Sequence, residues 1–354
     1  NCITELPMTK SLWFLVVLFG TYWAPSSSSA SADVNSILSS VGLGTAGLRD
    51  STEEIVRQAI ETYGVRLIDT AQAEEWYRED AVGRGILSAS KNIALSYNRS
   101  IDNENERIKL TVVTKIHPRS FALEKMRSML LNSMKNLYDV FNSESAGSDL
   151  PLIRTELVVL LHSPRCWPGH CSQEEESISW HTGWRNLEIL SREYSEQITF
   201  IGVSNFHFEE LSELVLSVAN EKVHVVQNWM DPFNHDWEVR SFAAEHRIQY
   251  MAYSSFGTQW LGRKYPEDHN PVFNNPALQS IADKHSTSIA QVVLSWVIAS
   301  NATAIPRASQ PHHLKDNFQF LSNKDSKGNI PVSLDEEDLS LIGELDGLLG
   351  NPWD

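Results

Sequence analysis

The stretch that decides the fold runs Gly64-Val-Arg-Leu-Ile-Asp-Thr-Ala-Gln-Ala-Glu-Glu-Trp-Tyr-Arg-Glu-Asp-Ala-Val-Gly83. Its apolar first part predicts a buried strand that ends at a carboxylate, Asp69. A polar loop containing Trp76 and Tyr77 follows, and a helix begins after it. Because a carboxylate at the end of a buried strand is costly unless it is paired, we expect a cation close to Asp69.

Two later strands are built in the same way. Thr111-Val-Val-Thr-Lys115 ends in a cation, and Leu157-Val-Val-Leu-Leu-His162 ends in an imidazole. Buried strands that end in Asp, Lys and His, with Tyr77 nearby, supply the groups that general acid–base catalysis uses. The sequence therefore predicts an enzyme that transfers protons.

A short apolar strand alternates with an amphipathic helix along the chain from residue 40 onward. Strands are predicted at residues 41–44, 65–69, 110–115, 157–162, 199–203, 223–227, 249–253 and 303–306. Helices are predicted at residues 52–63, 80–89, 122–137, 184–195, 208–219, 237–246, 277–285, 288–299 and 311–320. Strands this apolar are typical of a parallel sheet buried on both faces. We predict an α/β fold in which residues 33–354 form one domain, a (β/α)8 TIM barrel.

A doubly wound open sheet is the alternative fold. Residues 42–47 spell G-x-G-x-x-G, a glycine pattern that binds dinucleotide phosphates. The match is weak. Asp69 stands near the place of the ribose-binding acid, but Lys115 and His162 end their strands in the same way, so Asp69 belongs with them rather than with a nucleotide site. The polar insertions at 90–108 and 142–151 are predicted to be loops.

The composition excludes some classes of partner. The chain has 354 residues, 42% of them apolar, and its 45 acidic against 29 basic residues give a net charge of −16. This charge disfavours nucleic acid and anionic membrane surfaces as partners.

The first 32 residues differ from the rest. Residues 1–7 precede Met8, and we expect them to lie upstream of the translation start. Lys10, an apolar run at 12–24 and small residues at 26–32 are typical of a secretory signal peptide. We predict that residues 1–32 are such a segment and that the protein enters the secretory pathway or is secreted. The alternative is a membrane-anchored protein with a luminal barrel.

Cysteine usage fits that route. Cys166 and Cys171 lie in one loop, and an oxidising lumen would join them, whereas the alternative is two unlinked thiols. With His170 they are too few for a structural zinc ion, which takes four ligands, so no metal is predicted. Asn98-Arg-Ser and Asn301-Ala-Thr are glycosylation sequons.

Polar residues stand at or just past the carboxyl ends of six predicted strands. They are Asp69, Lys115, His162, Ser204 with Asn205, Gln227 and Tyr253. In a (β/α)8 barrel this end carries the active site. The long loop after His162, with Trp167 and Trp180, is predicted to select the substrate.

The residue types suggest chemistry at a carbonyl group. A Lys beside a phenol lowers the pKa of the phenol, and a neutral His orients a carbonyl oxygen. Because no side chain supplies a hydride, a reduction would require a cofactor. A Schiff-base aldolase using Lys115 remains the alternative at this point.

The sequence resembles the aldo-keto reductase family over about residues 40–354. The matching stretches are Gly42-Leu-Gly-Thr, Arg66-Leu-Ile-Asp-Thr-Ala, Val82-Gly-Arg-Gly-Ile86, Val113-Thr-Lys115, Leu161-His-Ser-Pro164, Ile201-Gly-Val-Ser-Asn-Phe206, Val226-Gln227, Ala252-Tyr-Ser254, and Ile305-Pro-Arg307 followed by Asn317. The resemblance implies an NAD(P)H-dependent oxidoreductase that reduces an aldehyde or ketone to an alcohol on a TIM barrel.

The resemblance also implies roles for single residues. Asp69, Lys115 and His162 look like three of the four catalytic residues. The residues that look like cofactor contacts are Gly44, Thr45, Ser204, Asn205, Gln227, Tyr253, Ser254, Arg307, His313 and Asn317. Of these, Ser204, Asn205 and Gln227 would hold the nicotinamide carboxamide, while Tyr253 would stack on its ring.

The sequence departs from the family at the catalytic Tyr. The family usually places it five residues after the Asp, where this chain has Glu74, and counting back from Gly83 points to Trp76. We predict Tyr77 as the acid, because it is the phenol of this loop and an indole is not an acid at neutral pH. Trp76 is then expected to face the substrate.

The residues for the 2′-phosphate of NADPH also differ. Arg307 replaces a common Lys, His313 replaces a usual Arg, and Ala308 replaces a hydroxyl residue. Arg307 keeps the cation, so NADPH is the expected cofactor and NADH the alternative.

We therefore predict a carbonyl reductase that uses Tyr77 as general acid. The alternatives are a catalytically weak NAD(P)H-binding sensor or scaffold on the same barrel and the aldolase. An apolar or aromatic carbonyl substrate is expected from the aromatic residues of the rim loops, which are Trp167, Trp180, Phe206, Trp229, Phe256 and Trp260. We leave the oligomeric state open and expect a monomer.

Overall fold

The computed structural model describes residues 38–97, 107–139, 152–322 and 330–353. The predicted signal segment, residues 1–32, and the sequon at Asn98 lie outside the described residues. Within the described ranges, every helix is too short or too polar to cross a bilayer.

A sheet of eight parallel strands forms the centre of the molecule, and its strands are hydrogen-bonded in sequence order. They are β1 (Leu43–Gly44), β2 (Leu67–Asp69), β3 (Ile108–Ile116), β4 (Ile153–Leu161), β5 (Ile198–Ser204), β6 (Val225–Trp229), β7 (Gln249–Tyr253) and β8 (Ala302–Ala304). The predicted parallel sheet is confirmed, and sequential order is incompatible with a doubly wound sheet, whose order reverses at a switch point.

The two ends of the sheet meet. Parallel bridges join Val41 to Ala304 and Gly44 to Arg307. The Gly44 amide also donates to the Pro306 carbonyl at 3.0 Å. Such an eight-stranded curled sheet is typical of a (β/α)8 barrel.

The glycines of the G-x-G-x-x-G pattern allow this close packing. A Cβ at Gly44 would lie 2.7 Å from the Ile305 carbonyl oxygen, and one at Gly42 would lie 2.6 Å from Leu67 Cγ. Gly42 and Gly44 are therefore required by close contacts with Leu67 and Ile305.

Helices follow most strands, as predicted. The α-helices are α1 (Thr52–Tyr63), α2 (Glu79–Tyr97), α3 (Leu123–Met134), α4 (Gln173–Glu176), α5 (Trp180–Glu193), α6 (Phe208–Glu213), α7 (Trp237–Glu245), α8 (Pro276–Lys284), α9 (Ile289–Ala299), α10 (Pro311–Phe318) and α11 (Glu336–Gly343). Short 3₁₀ segments lie at Arg49–Ser51, Pro118–Ser120 and Gln319–Ser322, and π-helical turns lie at Lys135–Asp139 and Leu214–Val218.

One predicted loop is partly helical. Helix α2 continues to Tyr97, through the first part of the insertion that we predicted to be a loop. Ala89 is fully buried and Ile93 packs against the core, so this polar segment keeps an apolar face. Ala89 and Ile93 lie four residues apart and therefore share one face of the helix.

The core has two parts. The larger fills the space between sheet and helices and includes Ile68, Val112 and Val159. The smaller joins residues of non-adjacent strands and therefore fills the inside of the sheet; it consists of Leu38, Leu67, Val113, Val158, Leu160, Val225, Met251 and Ile305. Consecutive residues thus alternate between the two cores.

Candidate active site

Strand alternation explains how the polar residues converge. The residue two positions after an inward-facing residue also faces inward. Counting two positions on from the last inner-core residues of five strands reaches Asp69, Lys115, His162, Gln227 and Tyr253. The carboxyl ends of the strands therefore bring together the side chains that were predicted from the sequence.

A groove of about 1380 Å³, here called the active-site groove, opens over these strand ends. It is lined by the predicted residues Gly44, Asp69, Tyr77, His162, Ser204, Asn205, Gln227, Tyr253, Ser254, Arg307, His313 and Asn317. A pocket for a drug-sized ligand takes about 300–1,000 Å³, so this groove has room for a dinucleotide beside a small substrate.

Two predicted residues are placed differently. Lys115 is 1% exposed and lies beneath the groove. Thr45 is fully buried, and its hydroxyl donates to the Asp69 carbonyl oxygen at 2.8 Å. Its neighbour Ala46 lines the groove, whereas Thr45 does not, and the cofactor contact at Thr45 stays a prediction.

Asp69 and Lys115 form the expected buried ion pair. Lys115 Nζ donates to Asp69 Oδ1 at 2.8 Å and to the Thr70 carbonyl oxygen at 2.8 Å. The other carboxylate oxygen, Oδ2, accepts from Gln227 Nε2 at 2.8 Å. Burial lowers the pKa of Lys115, and the Asp69 carboxylate opposes this shift.

Tyr77 stands beside this pair. Lys115 Nζ lies 5.1 Å from the centre of the Tyr77 ring, and the His162 ring centre lies 6.0 Å from it. Burial raises the pKa of Tyr77 well above its usual range, and the Asp69 carboxylate raises it further. The pKa lowering that we expected from Lys115 is not found, because burial is the largest cause of the shift and acts in the opposite direction. The phenol is therefore protonated at neutral pH.

His162 is neutral in this environment. Burial and then the charge of Lys115 hold the pKa of His162 well below its usual value. Its Nδ1 is buried and forms no hydrogen bond with any described residue. Since a buried N–H without an acceptor is rarer than an acceptor without a donor, we assign the proton to Nε2.

Ser204 and Asn205, two of the three residues expected to hold a carboxamide, are hydrogen-bonded to each other. Asn205, with a φ of 59°, donates from Nδ2 to the His162 carbonyl oxygen at 2.7 Å and to Ser204 Oγ at 3.1 Å. Its Oδ1 accepts from the Tyr253 hydroxyl at 2.6 Å. The Tyr253 ring is partly exposed and lines the groove.

The far end of the groove carries the predicted phosphate-binding residues. Arg307 is exposed, and its Nη1 lies 3.4 Å from the Ala46 carbonyl oxygen. Asn317 is buried and donates to the Arg307 carbonyl oxygen at 3.4 Å. Partial burial and His312 lower the pKa of His313, so its positive charge is confined to acidic pH.

The aromatic lining differs in part from the prediction. Trp167, Trp229 and Phe256 line the groove as expected. Three predicted residues are core residues instead, with at most 7% exposure: Trp180, Phe206 and Trp260. Trp76 is 59% exposed and is absent from the lining.

Several lining residues were not predicted from the sequence. They include Ser255, Phe233, Phe273 and Trp353. Trp353 packs edge-on against Trp229, with ring centres 5.4 Å apart. The Trp after Pro352 was a sequence signal for a buried or lining aromatic side chain.

The loop cysteines are joined. A disulfide links Cys166 to Cys171, so the bridged alternative is confirmed for this pair. Within it, Trp167 lies with its ring centre 5.0 Å from that of His162.

Comparison with known proteins identifies the family. The model of the Aldo/keto reductase family matches residues 40–330. The chain belongs to this family. This aldo/keto reductase is an NAD(P)H-dependent carbonyl reductase.

Its relatives include enzymes and solved structures. It is 35% identical over 331 residues to the NAD(P)H-dependent D-xylose reductase of Scheffersomyces stipitis, covering 86% of this chain and 90% of that protein. It is 28% identical over 300 residues to the 4-dihydromethyl-trisporate dehydrogenase of Mucor mucedo, covering 83% and 84%. The crystal structure of a Bombyx mori aldo-keto reductase in complex with NADP has the same fold, with a TM-score of 0.67, 23% identity, and coverage of 90% of this chain and 92% of that one.

Proposed function

We propose that this aldo/keto reductase reduces an aldehyde or ketone to an alcohol with Tyr77 as the general acid. The observation that carries the proposal is the position of the Tyr77 ring on the groove, 5.1 Å from Lys115 Nζ and 6.0 Å from the His162 ring. A protonated phenol, a buried cation and a neutral imidazole are the groups that protonation of a carbonyl oxygen requires.

NADP(H) is the cofactor that the residues fit. The groove presents the ring of Tyr253 near the catalytic residues and the exposed cation of Arg307 at its far end. Ser255 Oγ is a buried hydroxyl in the lining with no hydrogen-bond partner among the described residues, and it could bond to a bound ligand. When bound, the nicotinamide supplies the hydride that reduces the carbonyl carbon.

The side chains of this chain then handle the proton. Tyr77 donates its hydroxyl proton to the carbonyl oxygen, and His162 donates a hydrogen bond to the same oxygen from Nε2. Lys115, held by Asp69, lies close enough to stabilise the tyrosinate that results. Asp69 and the Thr70 carbonyl fix the ammonium group during this transfer.

The two alternatives fit less well. A sensor that turns over poorly was suggested by the shifted Tyr, but Tyr77 lies beside Lys115 and His162. An aldolase needs a neutral amine at Lys115, whereas its ammonium group donates to a carboxylate at 2.8 Å.

The substrate is proposed to carry an apolar or aromatic group. Trp167, Trp229, Phe256 and Trp353 line the groove. They offer flat apolar surfaces to a ligand. Two relatives are named for different compounds, D-xylose and 4-dihydromethyl-trisporate, so the proposed substrate class rests on the lining residues of this chain.

We also propose that the enzyme works in the secretory pathway or outside the cell. The bridged Cys166 and Cys171 support an oxidising compartment, and the sequon residue Asn301 is exposed on the described surface. Enzymatic deglycosylation of the protein from a eukaryotic host should lower its mass. An unglycosylated, reduced protein recovered from cytosol would refute this location.

The reductase proposal is tested by NADPH oxidation with a panel of aromatic and aliphatic aldehydes. We expect turnover that is faster with NADPH than with NADH. Borohydride treatment with the aldehyde alone should leave Lys115 unmodified. Quenching of Trp fluorescence by NADPH without turnover of any aldehyde would favour the sensor, and a trapped adduct would favour the aldolase.

A further inference from the structure

The disulfide loop is the feature of the groove that the catalytic mechanism leaves unexplained. Cys166 and Cys171 are bridged across five positions of sequence, with their Cα atoms 6.1 Å apart. Inside the ring, the His170 amide donates to the Trp167 carbonyl oxygen at 3.0 Å, and Gly169 has a φ of 78°. A positive φ at this place, after Pro168, is typical of a type II turn. Trp167 is thus built into a short covalent ring.

The Trp167 indole connects the disulfide loop to the catalytic residues. The centre of the indole lies 5.0 Å from the centre of the His162 ring, in an edge-on contact, and 5.2 Å from the centre of the His117 ring. The indole is 38% exposed, and it lines the active-site groove. A substrate held by His162 therefore has this indole as a neighbour.

The chain on either side of the ring is anchored. On one side, Arg165 pairs with Glu210 at 2.7 Å. On the other, Ser172 begins α4 with a capping box in which its amide donates to Glu175 at 2.8 Å, and Glu175 pairs with Lys125. The disulfide lies between these anchors, next to Trp167. Opening it would let the segment from 166 to 171 sample more conformations while its flanks stay in place.

We propose that the Cys166–Cys171 disulfide determines substrate specificity by holding Trp167 beside His162. In the bridged enzyme, a carbonyl compound with a flat aromatic group packs against the fixed indole. Without the bridge, the indole is disordered over several positions and this preference is lost. The inference rests on the proposed reductase function and names aromatic aldehydes as its preferred substrate class.

The experiment compares benzaldehyde with propanal as substrates for NADPH-dependent reduction. The stabilisation by one aromatic pair contact corresponds to a change of about 2- to 10-fold in kcat/KM. We expect Cys166→Ser/Cys171→Ser to lose about that factor for benzaldehyde, mainly through KM, and to keep the value for propanal within about twofold. Trp167→Ala should show the same pattern, and the triple variant should equal Trp167→Ala.

Matched controls separate this role from a general loss of structure. Trp237 is 54% exposed on α7 and does not line the groove, so Trp237→Ala should leave the benzaldehyde-to-propanal ratio unchanged. A thermal melt of each variant reports folding. An equal fall for both aldehydes, an unchanged ratio in the double variant, or a further loss in the triple variant would overturn the inference. If the wild-type enzyme reduces neither aldehyde, the proposed function fails and the inference with it, whereas turnover with a constant ratio refutes the role of the disulfide alone.

Discussion

Replacing Lys115 with Met should destabilise the fold far more than a surface Lys does. Lys115 Nζ and Asp69 Oδ1 are 2.8 Å apart, and the two side chains are 1% and 4% exposed. Removing the cation leaves the Asp69 carboxylate buried, with a hydrogen bond from the Gln227 side-chain amide in place of an ion pair. Breaking a buried ion pair from one side costs about 3–5 kcal/mol. With an unfolding entropy of about 2.1 cal/mol/K per residue, this lowers the melting temperature by roughly 4–7 °C.

The same strand offers a matched control. Lys109 also lies on β3 and pairs with Glu156 at 2.8 Å, but its side chain is 54% exposed. Lys109→Met should therefore cost at most about 1 kcal/mol. Because Asp69→Asn/Lys115→Met removes both charges of the pair, it should recover much of the lost stability. Thermal and urea unfolding give these values, and equal losses in the two Lys variants would refute the buried pair.

Two further predictions concern the cofactor and pH. Arg307→Ala should raise KM for NADPH by about tenfold or more and leave KM for NADH nearly unchanged, because a hydrogen bond to a charged group contributes about 1.5–3 kcal/mol; equal effects in steady-state kinetics would contradict it. Burial raises the pKa of Asp231 to about 7 from 3.8, so the folded state binds the proton more tightly and stability should fall as pH rises from about 4 to 7. Asp231→Asn should remove this fall in unfolding free energy between about pH 4 and 7. Parallel curves of unfolding free energy against pH for the wild type and the variant would contradict the raised pKa of Asp231.

Much of the site could be predicted because it follows from local pattern. Apolar strands that end in a polar residue place that residue at the mouth of a parallel sheet, and strand alternation decides which way it points. Asp69, Lys115 and His162 each follow this rule, so their convergence needs only the order of the strands.

The sequence did not show which aromatic side chains are buried by segments distant in the chain. Trp180, Phe206 and Trp260 are as aromatic as Trp167, but packing of the helices and loops decides which rings line the groove. Trp353 lines the groove together with its neighbours Asn351 and Pro352, far in sequence from Tyr77 and His162.

The direction of the Tyr77 pKa shift could not be predicted from the sequence either. The sequence suggested that Lys115 lowers the pKa of Tyr77, whereas burial and Asp69 raise it. Burial depends on all surrounding elements, and desolvation of a phenol raises its pKa even when a cation is nearby.

The choice between Tyr77 and Trp76 is tested most directly by the single-turnover rate of NADPH oxidation at saturating benzaldehyde. With Tyr77→Phe, we expect this rate to fall by about 10²- to 10⁴-fold with unchanged binding of NADPH, because a general acid contributes that range. The Trp76 side chain is 59% exposed, so we expect Trp76→Phe to keep the rate within about twofold of the wild-type enzyme. A Tyr77→Phe enzyme that oxidises NADPH at the wild-type rate would show that another group donates the proton.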